Sequence, residues 1–369
     1  MIELAEIAKE YQEAFFYKYK GQILPQQRWA LNCIINCRNS EHSQMMLKCA
    51  ECNTLEFKPH SCGNRHCPKC QNHENSVWLE RQKQKLLPVS YYMITFTIPW
   101  QLRKVCYTRQ KEMFDMMFNN VEKTLKEFAL RPSNLGGDIG FISVLHTNSR
   151  RQNYHPHIHV IIPGGAIDRA KVLWKKKKTR FLFNPQHLSE VFRGKMVQEL
   201  YEKEILFPRT TPKNWVVHSL NVGGGVRALE YLSRYLYRGT LGQKNIVSNK
   251  NGIVTFGYID SDTKKWETRP LPGADFLMLI LRHVLPKGYR RSRDYGFMHH
   301  NAKLILQKLQ LIFHVKINKS TERKRSSFDC KHCGGKMKVI SHRIRVPFKS
   351  KTNNAKDGPP RLKVLDMQN

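Results

Sequence analysis

The apolar positions of this chain change period several times, and the changes outline its elements. Residues 90–99 (SYYMITFTIP) are a short aromatic and β-branched run closed by proline, which reads as a buried strand. From 102 to 128 the apolar positions follow helical spacing with few breakers. Residues 138–146 and 155–163 are two more strand-like runs, and the polar stretch 147–154 between them suits a hairpin loop. Helical patterns recur at 74–87, 186–201, 226–237, 274–285 and 302–313, with a strand at 215–220 and two short strand patterns within 252–266. Gly223-Gly224-Gly225 is a break before the 226–237 helix, and Gly239 suits its C-terminal cap. An antiparallel hairpin among helices predicts an α+β fold, with the 226–237 helix packed on the sheet.

At 369 residues the chain can hold two or three domains, and 40% hydrophobic residues can build an ordinary core. Charge adds more: 63 Lys+Arg against 29 Asp+Glu leave +34, an excess suited to a polyanion or a membrane face. The best apolar run, 276–285, is ten residues long and contains Arg282 and His283, too short and too charged for a membrane span. The first twenty residues carry Glu3, Glu6 and Glu10 and no continuous apolar stretch, so they do not read as a secretory signal. A soluble, intracellular, nucleic-acid-facing protein is expected, with no membrane partner. Basic residues gather at 174–180 and again beyond Lys316, where a flexible basic tail is expected.

Seven of the ten cysteines lie between Cys33 and Cys70, a clustering that points to metal instead of a disulfide framework. Cys49-x2-Cys52 and Cys67-x2-Cys70 are two knuckles, and together they would complete one tetrahedral structural Zn²⁺ site. Cys37, Cys62, His60 and His66 are candidates for a second zinc, with Cys33 and His42 nearby. Cys330-x2-Cys333 with Gly334-Gly335 resembles half of a zinc ribbon, for which only His332 and His342 are close in sequence.

His155-Pro-His-Ile-His159 is the most unusual stretch. On a strand His157 and His159 point to one face, a ready pair for a divalent ion that leaves positions open for phosphate oxygens. His146, at the end of the neighbouring strand, is the preferred third ligand, with Gln152, His155 and Glu230 as rivals. In the 226–237 helix Tyr231 and Tyr235 lie one turn apart, and at 100° per residue Arg227, Arg234 and Arg238 fall within about 60° of Tyr231. Leu229, Leu232 and Leu236 form the apolar stripe that can dock on a sheet. A metal that polarises a phosphate, arginines that clamp it and a phenol that attacks it would together yield a phosphotyrosine.

These residues resemble the HUH family of single-strand nucleases, named for two metal histidines around an apolar residue. They are more closely similar to rolling-circle insertion-sequence transposases of the IS91 type. Ser61-Cys-Gly-Asn-Arg-His-Cys-Pro-Lys-Cys-Gln71 looks like the cysteine-rich motif of that family. Leu145-His-Thr147, His155-Pro-His-Ile-His159 and Pro163-Gly-Gly165 look like its metal motif, and Tyr231-Leu-Ser-Arg-Tyr-Leu-Tyr-Arg238 like its tyrosine motif. His283-Val-Leu-Pro-Lys-Gly288 with Tyr295-Gly296 is similar to its downstream block. One departure is Met45-Met46, where relatives often have a histidine between Cys37 and Cys49.

The resemblance implies a zinc-binding DNA-recognition domain at 1–85, an HUH nuclease core with a central antiparallel sheet flanked by helices at 86–315, and a basic tail with a possible knuckle at 316–369. It implies Mg²⁺- or Mn²⁺-dependent nicking of single-stranded DNA at transposon ends, a 5′-phosphotyrosine on Tyr231 or Tyr235, and transfer to a target strand, in a bacterial cytoplasmic, nucleoid-associated protein. Arg227, Arg234 and Arg238 would contact phosphates. The alternatives are a plasmid replication initiator or relaxase of the same chemistry, and a non-catalytic zinc DNA-binding protein.

Overall fold

The computed structural model describes residues 2–39, 43–70, 72–168, 170, 173–177, 179–208, 210–236, 241–260, 262–316, 327–343 and 364–366, the last three and Asn72 and Tyr235 by backbone alone. Two helices open it, α1 (Leu4–Lys18) and α2 (Pro25–Ile35). Pro25 takes the first position of α2, where no backbone donor is needed, and the Gln27 side chain accepts from the Leu24 N–H at 2.9 Å. A hairpin of β1 (Gln44–Cys49) and β2 (Leu55–Pro59) follows, then α3 (Asn72–Lys83).

The main sheet begins with β3 (Tyr91–Thr97). The helix expected over 102–128 is broken at Arg109 into α4 (Arg103–Thr108) and α5 (Gln110–Leu130). At the break the Thr108 hydroxyl donates to the carbonyls of Lys104 and Val105, at 3.3 and 3.1 Å, and competes with the continuing turn. β4 (Gly140–Asn148) and β5 (Tyr154–Pro163) form the expected hairpin. β6 (Gly165–Asp168) and β7 (Leu173–Lys176) form a small ribbon that takes up part of the 174–180 basic block. α6 (Pro185–Glu202) is capped by Asn184, whose Oδ1 accepts from the N–H groups of Gln186 and His187 at 2.8 and 3.3 Å. β8 (Val217–Asn221) and α7 (Val226–Leu236) come next.

The order across the main sheet is β12-β4-β5-β3-β8, with β12 at Ser292–Gly296, and every pairing is antiparallel. Period-two alternation divides its faces. Ile158, Val160 and Ile162 of β5 join Phe96, Phe141 and the apolar sides of α5 and α6 in one core. His157, His159 and Ile161 point the other way, and there Leu229, Leu232 and Leu236 of α7 pack on Ile142, Val144 and Ile161, with Trp78 of α3 beside them. The fold is therefore α+β, with the tyrosine helix on the histidine face.

β9 (Ile246–Lys250), β10 (Ile253–Ile259) and β11 (Trp266–Pro272) make a three-stranded antiparallel sheet, one strand more than the pattern suggested. With α8 (Gly273–Leu281) they share a buried core with α1 and α2, through Phe15, Leu31, Phe256 and Phe276. α9 (Lys303–Ile312) packs through Leu309 beside Trp78. Part of the expected basic tail is ordered structure: β13 (Phe328–Asp329) and β14 (Lys336–Arg343) form a hairpin, and β14 pairs along the whole of β1. A short strand, β15 (Val364–Asp366), pairs with β14. No helix among the described residues is long and apolar enough to cross a membrane.

Candidate active site and metal centres

Register places the histidines. His157 lies opposite His146 on β4 and opposite Thr97 on β3, and His159 lies opposite Val144 and Thr95. Directly opposed residues share a face, so His146, His157 and His159 converge, with one ring nitrogen of each within 4.8 Å of the others. The Nε2 atoms of His157 and His159 are 3.1 Å apart, about the spacing of two donors at roughly 2.1 Å on adjacent octahedral positions. His157 Nδ1 donates to the His155 carbonyl at 2.6 Å, which leaves its Nε2 lone pair facing inward. His159 Nδ1 meets Thr95 Oγ1 at 2.8 Å, so its Nε2 also faces the cluster.

Burial keeps all three imidazoles neutral. His146 and His157 are pushed well below the ordinary 6.5, by burial and then by the neighbouring His159, and burial takes His159 down to about 4. Neutral imidazoles with aligned lone pairs are what a divalent ion requires. Two of the other candidates for third ligand are engaged elsewhere. His155 Nδ1 accepts from Arg103 at 2.6 Å and Glu230 is paired with Lys83 at 3.1 Å, while the backbone carbonyl of Gln152, the remaining candidate, accepts from His283 Nε2 at 2.9 Å, a bond that does not involve its side-chain amide.

α7 brings Tyr231 over this cluster. Its ring centroid is 6.1 Å from that of His159 and 6.5 Å from that of His146, and the residue is 37% exposed, open to a strand arriving from solvent. The start of α7 is pinned to β3: Tyr91 N–H donates to the Gly223 carbonyl at 2.6 Å and Val222 N–H to the Tyr91 carbonyl at 2.8 Å. Gly225 completes the turn at φ +82, and a Cβ there would stand 2.9 Å from the Tyr91 ring, so only glycine fits. Arg227 and Arg234 are exposed on α7. Tyr235 belongs to the helix, but its side chain and Arg238 lie outside the described residues.

Three features of this region were not singled out in the sequence. Thr95 and Arg103 hold His159 and His155 by their side chains. The third is a groove of about 1570 Å³ that passes the β12 edge of the sheet between α3 and α5. Nine of its lining residues are Lys or Arg and three are Asp or Glu. Each acid is matched by a groove cation: Asp294 with Lys85 at 2.5 Å, Glu122 with Lys126 at 2.5 Å, and Asp115 with Arg293. Arg291 and Leu236 both line the groove, and the Arg291 carbonyl accepts from Leu145 N–H at 2.8 Å, one residue from His146. The run Arg290-Arg291-Ser-Arg293 is the signal the sequence offers, and it lies between the two pieces of the downstream block, His283–Gly288 and Tyr295-Gly296.

The cysteines regroup. Cys67 and Cys70 meet Cys37 and Cys62, not Cys49 and Cys52. Cys70 Sγ is 3.5 Å from Cys37 Sγ and 3.7 Å from Cys62 Sγ, near the roughly 3.8 Å expected between thiolates about 2.3 Å from a tetrahedral zinc. Cys49 and Cys52 meet Cys330 and Cys333 instead. The expected union of the two N-terminal knuckles fails because β1 pairs with β14, which carries the Cys49 knuckle to the C-terminal hairpin. His60 and His66 do not reach a thiol cluster. The His60 ring stacks on His342 at 5.0 Å, while His66 is buried and pushed well below 6.5 by burial and by Arg291. Cys33 also stays out of both groups, and His42 lies outside the described residues.

Two family models match the chain in the order of these modules. Residues 7–98 match a family described as a transposase zinc-binding domain, and residues 140–304 match one described as a putative transposase. The chain belongs to the transposases of the IS91 type. It is 29% identical over 321 residues to a putative transposase, y4qJ, of Sinorhizobium fredii (strain NBRC 101917 / NGR234), covering 80% of each chain. It is 25% identical over 268 residues to the transposase for insertion sequence element IS801 of Pseudomonas savastanoi pv. phaseolicola, covering 67% of this chain and 63% of that one. The transposase match spans the imidazole cluster, α7 and most of the groove. The zinc-binding match contains Cys37, Cys62, Cys67 and Cys70, and with the thiol clusters it supports structural zinc in this transposase.

Proposed function

We propose that this transposase nicks and rejoins single-stranded DNA through a tyrosine–phosphate intermediate, with Tyr231 as a nucleophile. The observation that carries the reading is the accessible Tyr231 ring, 6.1 Å from His159 and 6.5 Å from His146, above three converging neutral imidazoles. His146, His157 and His159 would hold one Mg²⁺ or Mn²⁺, whose chemistry when bound is to polarise the scissile phosphate and offset its growing charge. Thr95 and the His155 carbonyl fix the imidazole orientations. Arg227 and Arg234, with Arg238, grip phosphates and favour the phenolate of a group whose ordinary pKa is near 10.

In the nicking step the Tyr231 oxygen bonds to phosphorus while the bond from phosphorus to the 3′ oxygen breaks. The phenol proton passes to solvent, and the departing 3′ oxygen becomes a hydroxyl. The 5′ phosphate stays on the tyrosine as a diester, ready for attack by a 3′ hydroxyl of the target strand. Tyr235, one turn along α7, provides a second attachment point. The basic groove suits a phosphate backbone, since its acids are already matched and Arg81, Lys111, Lys287 and Arg290 are exposed along it. Cys37, Cys62, Cys67 and Cys70 would hold a structural Zn²⁺ at the root of α3, the helix against which α7 packs.

The test is a denaturation-resistant adduct between the purified chain and labelled single-stranded oligonucleotides from its element's ends, with Mn²⁺ or Mg²⁺. The wild type should form it, and Tyr231→Phe/Tyr235→Phe should not. An adduct that persists in the double variant, or none from the wild type, overturns the proposal.

A further inference from the structure

Cys49, Cys52, Cys330 and Cys333 come from opposite ends of the chain and sit on two hairpins with the same local geometry. Cys49 ends β1 and Cys52 lies in the turn that leads to β2, and Cys330 and Cys333 lie in the turn between β13 and β14. In each, the N–H of the first cysteine donates to the carbonyl five residues on: Cys49 to Thr54 at 2.9 Å and Cys330 to Gly335 at 2.7 Å. In each, the residue after the second cysteine is left-handed, Asn53 at φ 58 and Gly334 at φ 76. Those are the positions at which a tight turn aims two sulfurs at one point. The knuckles then face each other closely, and a Cβ on Gly335 would stand 2.6 Å from the Glu51 carboxylate.

The four sulfurs form one group. Cys49 Sγ is 3.5 Å from Cys333 Sγ, Cys52 Sγ is 3.6 Å from Cys330 Sγ, and Cys333 Sγ is 3.4 Å from Cys52 Sγ. Disulfide sulfurs would be about 2.05 Å apart, so no pair is bonded. Thiolates on one tetrahedral zinc would be roughly 3.8 Å apart, close to what is seen. The apolar core here is small: among the described residues Leu47 and Met337 are buried beside Cys49 and Cys330, with Met45 and Phe328 packed partly buried against them. Two hairpins with so little buried surface need a further staple.

We propose that Cys49, Cys52, Cys330 and Cys333 bind one structural Zn²⁺, completing a zinc ribbon split between the two ends of the chain. The zinc-binding family match stops at residue 98, so it holds half of this site, and the segment beyond Lys316 supplies the rest. Four thiolates close the coordination sphere, which makes the ion a clamp instead of a reagent, and each must lose its proton to bind. Metal holds what a core would hold in a larger module, and β14 becomes part of the N-terminal sheet.

The experiment counts zinc per full-length chain in the wild type, Cys49→Ser/Cys52→Ser, Cys330→Ser/Cys333→Ser and the four-fold variant. Each double variant should lose one equivalent, and the four-fold variant should lose the same one. Losses that add between the two pairs, or an unchanged count in Cys330→Ser/Cys333→Ser, overturn the site. Should a variant misfold and lose every equivalent, the native wild type decides by alkylation. All four cysteines should resist iodoacetamide together and become reactive together on chelation, although Cys333 is exposed. Prompt alkylation of Cys333 in the native, zinc-loaded chain overturns the proposal.

Discussion

Glu230 on α7 is paired with Lys83 at the end of α3 at 3.1 Å, so the helix that leaves the Cys67–Cys70 knuckle meets the helix that carries Tyr231. Both side chains are partly exposed, and such pairs contribute about 0–1 kcal/mol. Leu232 is fully buried against the sheet, where loss of a leucine side chain costs about 2–5 kcal/mol. In urea unfolding Lys83→Ala should therefore shift the midpoint little and Leu232→Ala strongly. Equal shifts would mean that packing does not dominate the placement of α7.

Thr95 holds His159 through Nδ1 and touches no other member of the imidazole cluster by a described hydrogen bond. Removing such a supporting group typically costs about 10–100-fold in metal affinity. Thr95→Val should weaken Mn²⁺ binding by that order in calorimetric titration and leave the fold intact. Because all three donors are imidazoles, Mn²⁺ should bind more tightly than Mg²⁺. Unchanged affinity in Thr95→Val, or a preference for Mg²⁺, would count against the cluster as the site of the divalent ion.

Lys287 and Arg290 are exposed on the groove wall. Each phosphate contact to a single strand contributes about −0.7 to the slope of log affinity against log salt. Lys287→Ala/Arg290→Ala should weaken oligonucleotide binding at low salt and make the slope shallower by roughly 1.4. A variant with the wild-type slope would remove the groove from the strand's path.

Burial pushes His155, His159 and His283 from 6.5 down to about 4, with Arg103 adding to the effect at His155. Unfolded histidines take up protons near 6.5, whereas these folded ones wait until about 4, so unfolding absorbs protons between the two values. Their contribution to stability is full above 6.5 and is lost progressively as pH falls toward 4. The melting midpoint of the metal-free chain should fall between about pH 6.5 and 5, above the range of ordinary carboxylates. A midpoint that holds or rises across that window would contradict the burial of these rings.

The histidine cluster was legible in the sequence because strand alternation fixes which side chains share a face, and His146 followed from its place at the end of the adjoining strand. The leucine stripe of α7 was legible for the same kind of reason. The cysteine partners were not. Knuckles of identical spacing carry no mark of which other knuckle they face, and the choice is made by pairing of β1 with β14 from the far end of the chain. Thr95 sits in a mostly aromatic and aliphatic strand that also holds Thr97, and Arg291 in a basic run, so composition gave no reason to place either beside an imidazole. Their positions come from strand register, which local pattern does not encode.

Whether α7 carries the attacking group is decided by mapping the covalent attachment. After reaction with an oligonucleotide from the element's end in Mn²⁺, the trapped protein is digested and the nucleotide-bearing peptide is sequenced by mass spectrometry. A 5′-phosphate ester is expected on the phenol of Tyr231, or on Tyr235 where the second attachment is trapped. Attachment to any residue outside α7, or a cut strand with no protein-linked product, would contradict it.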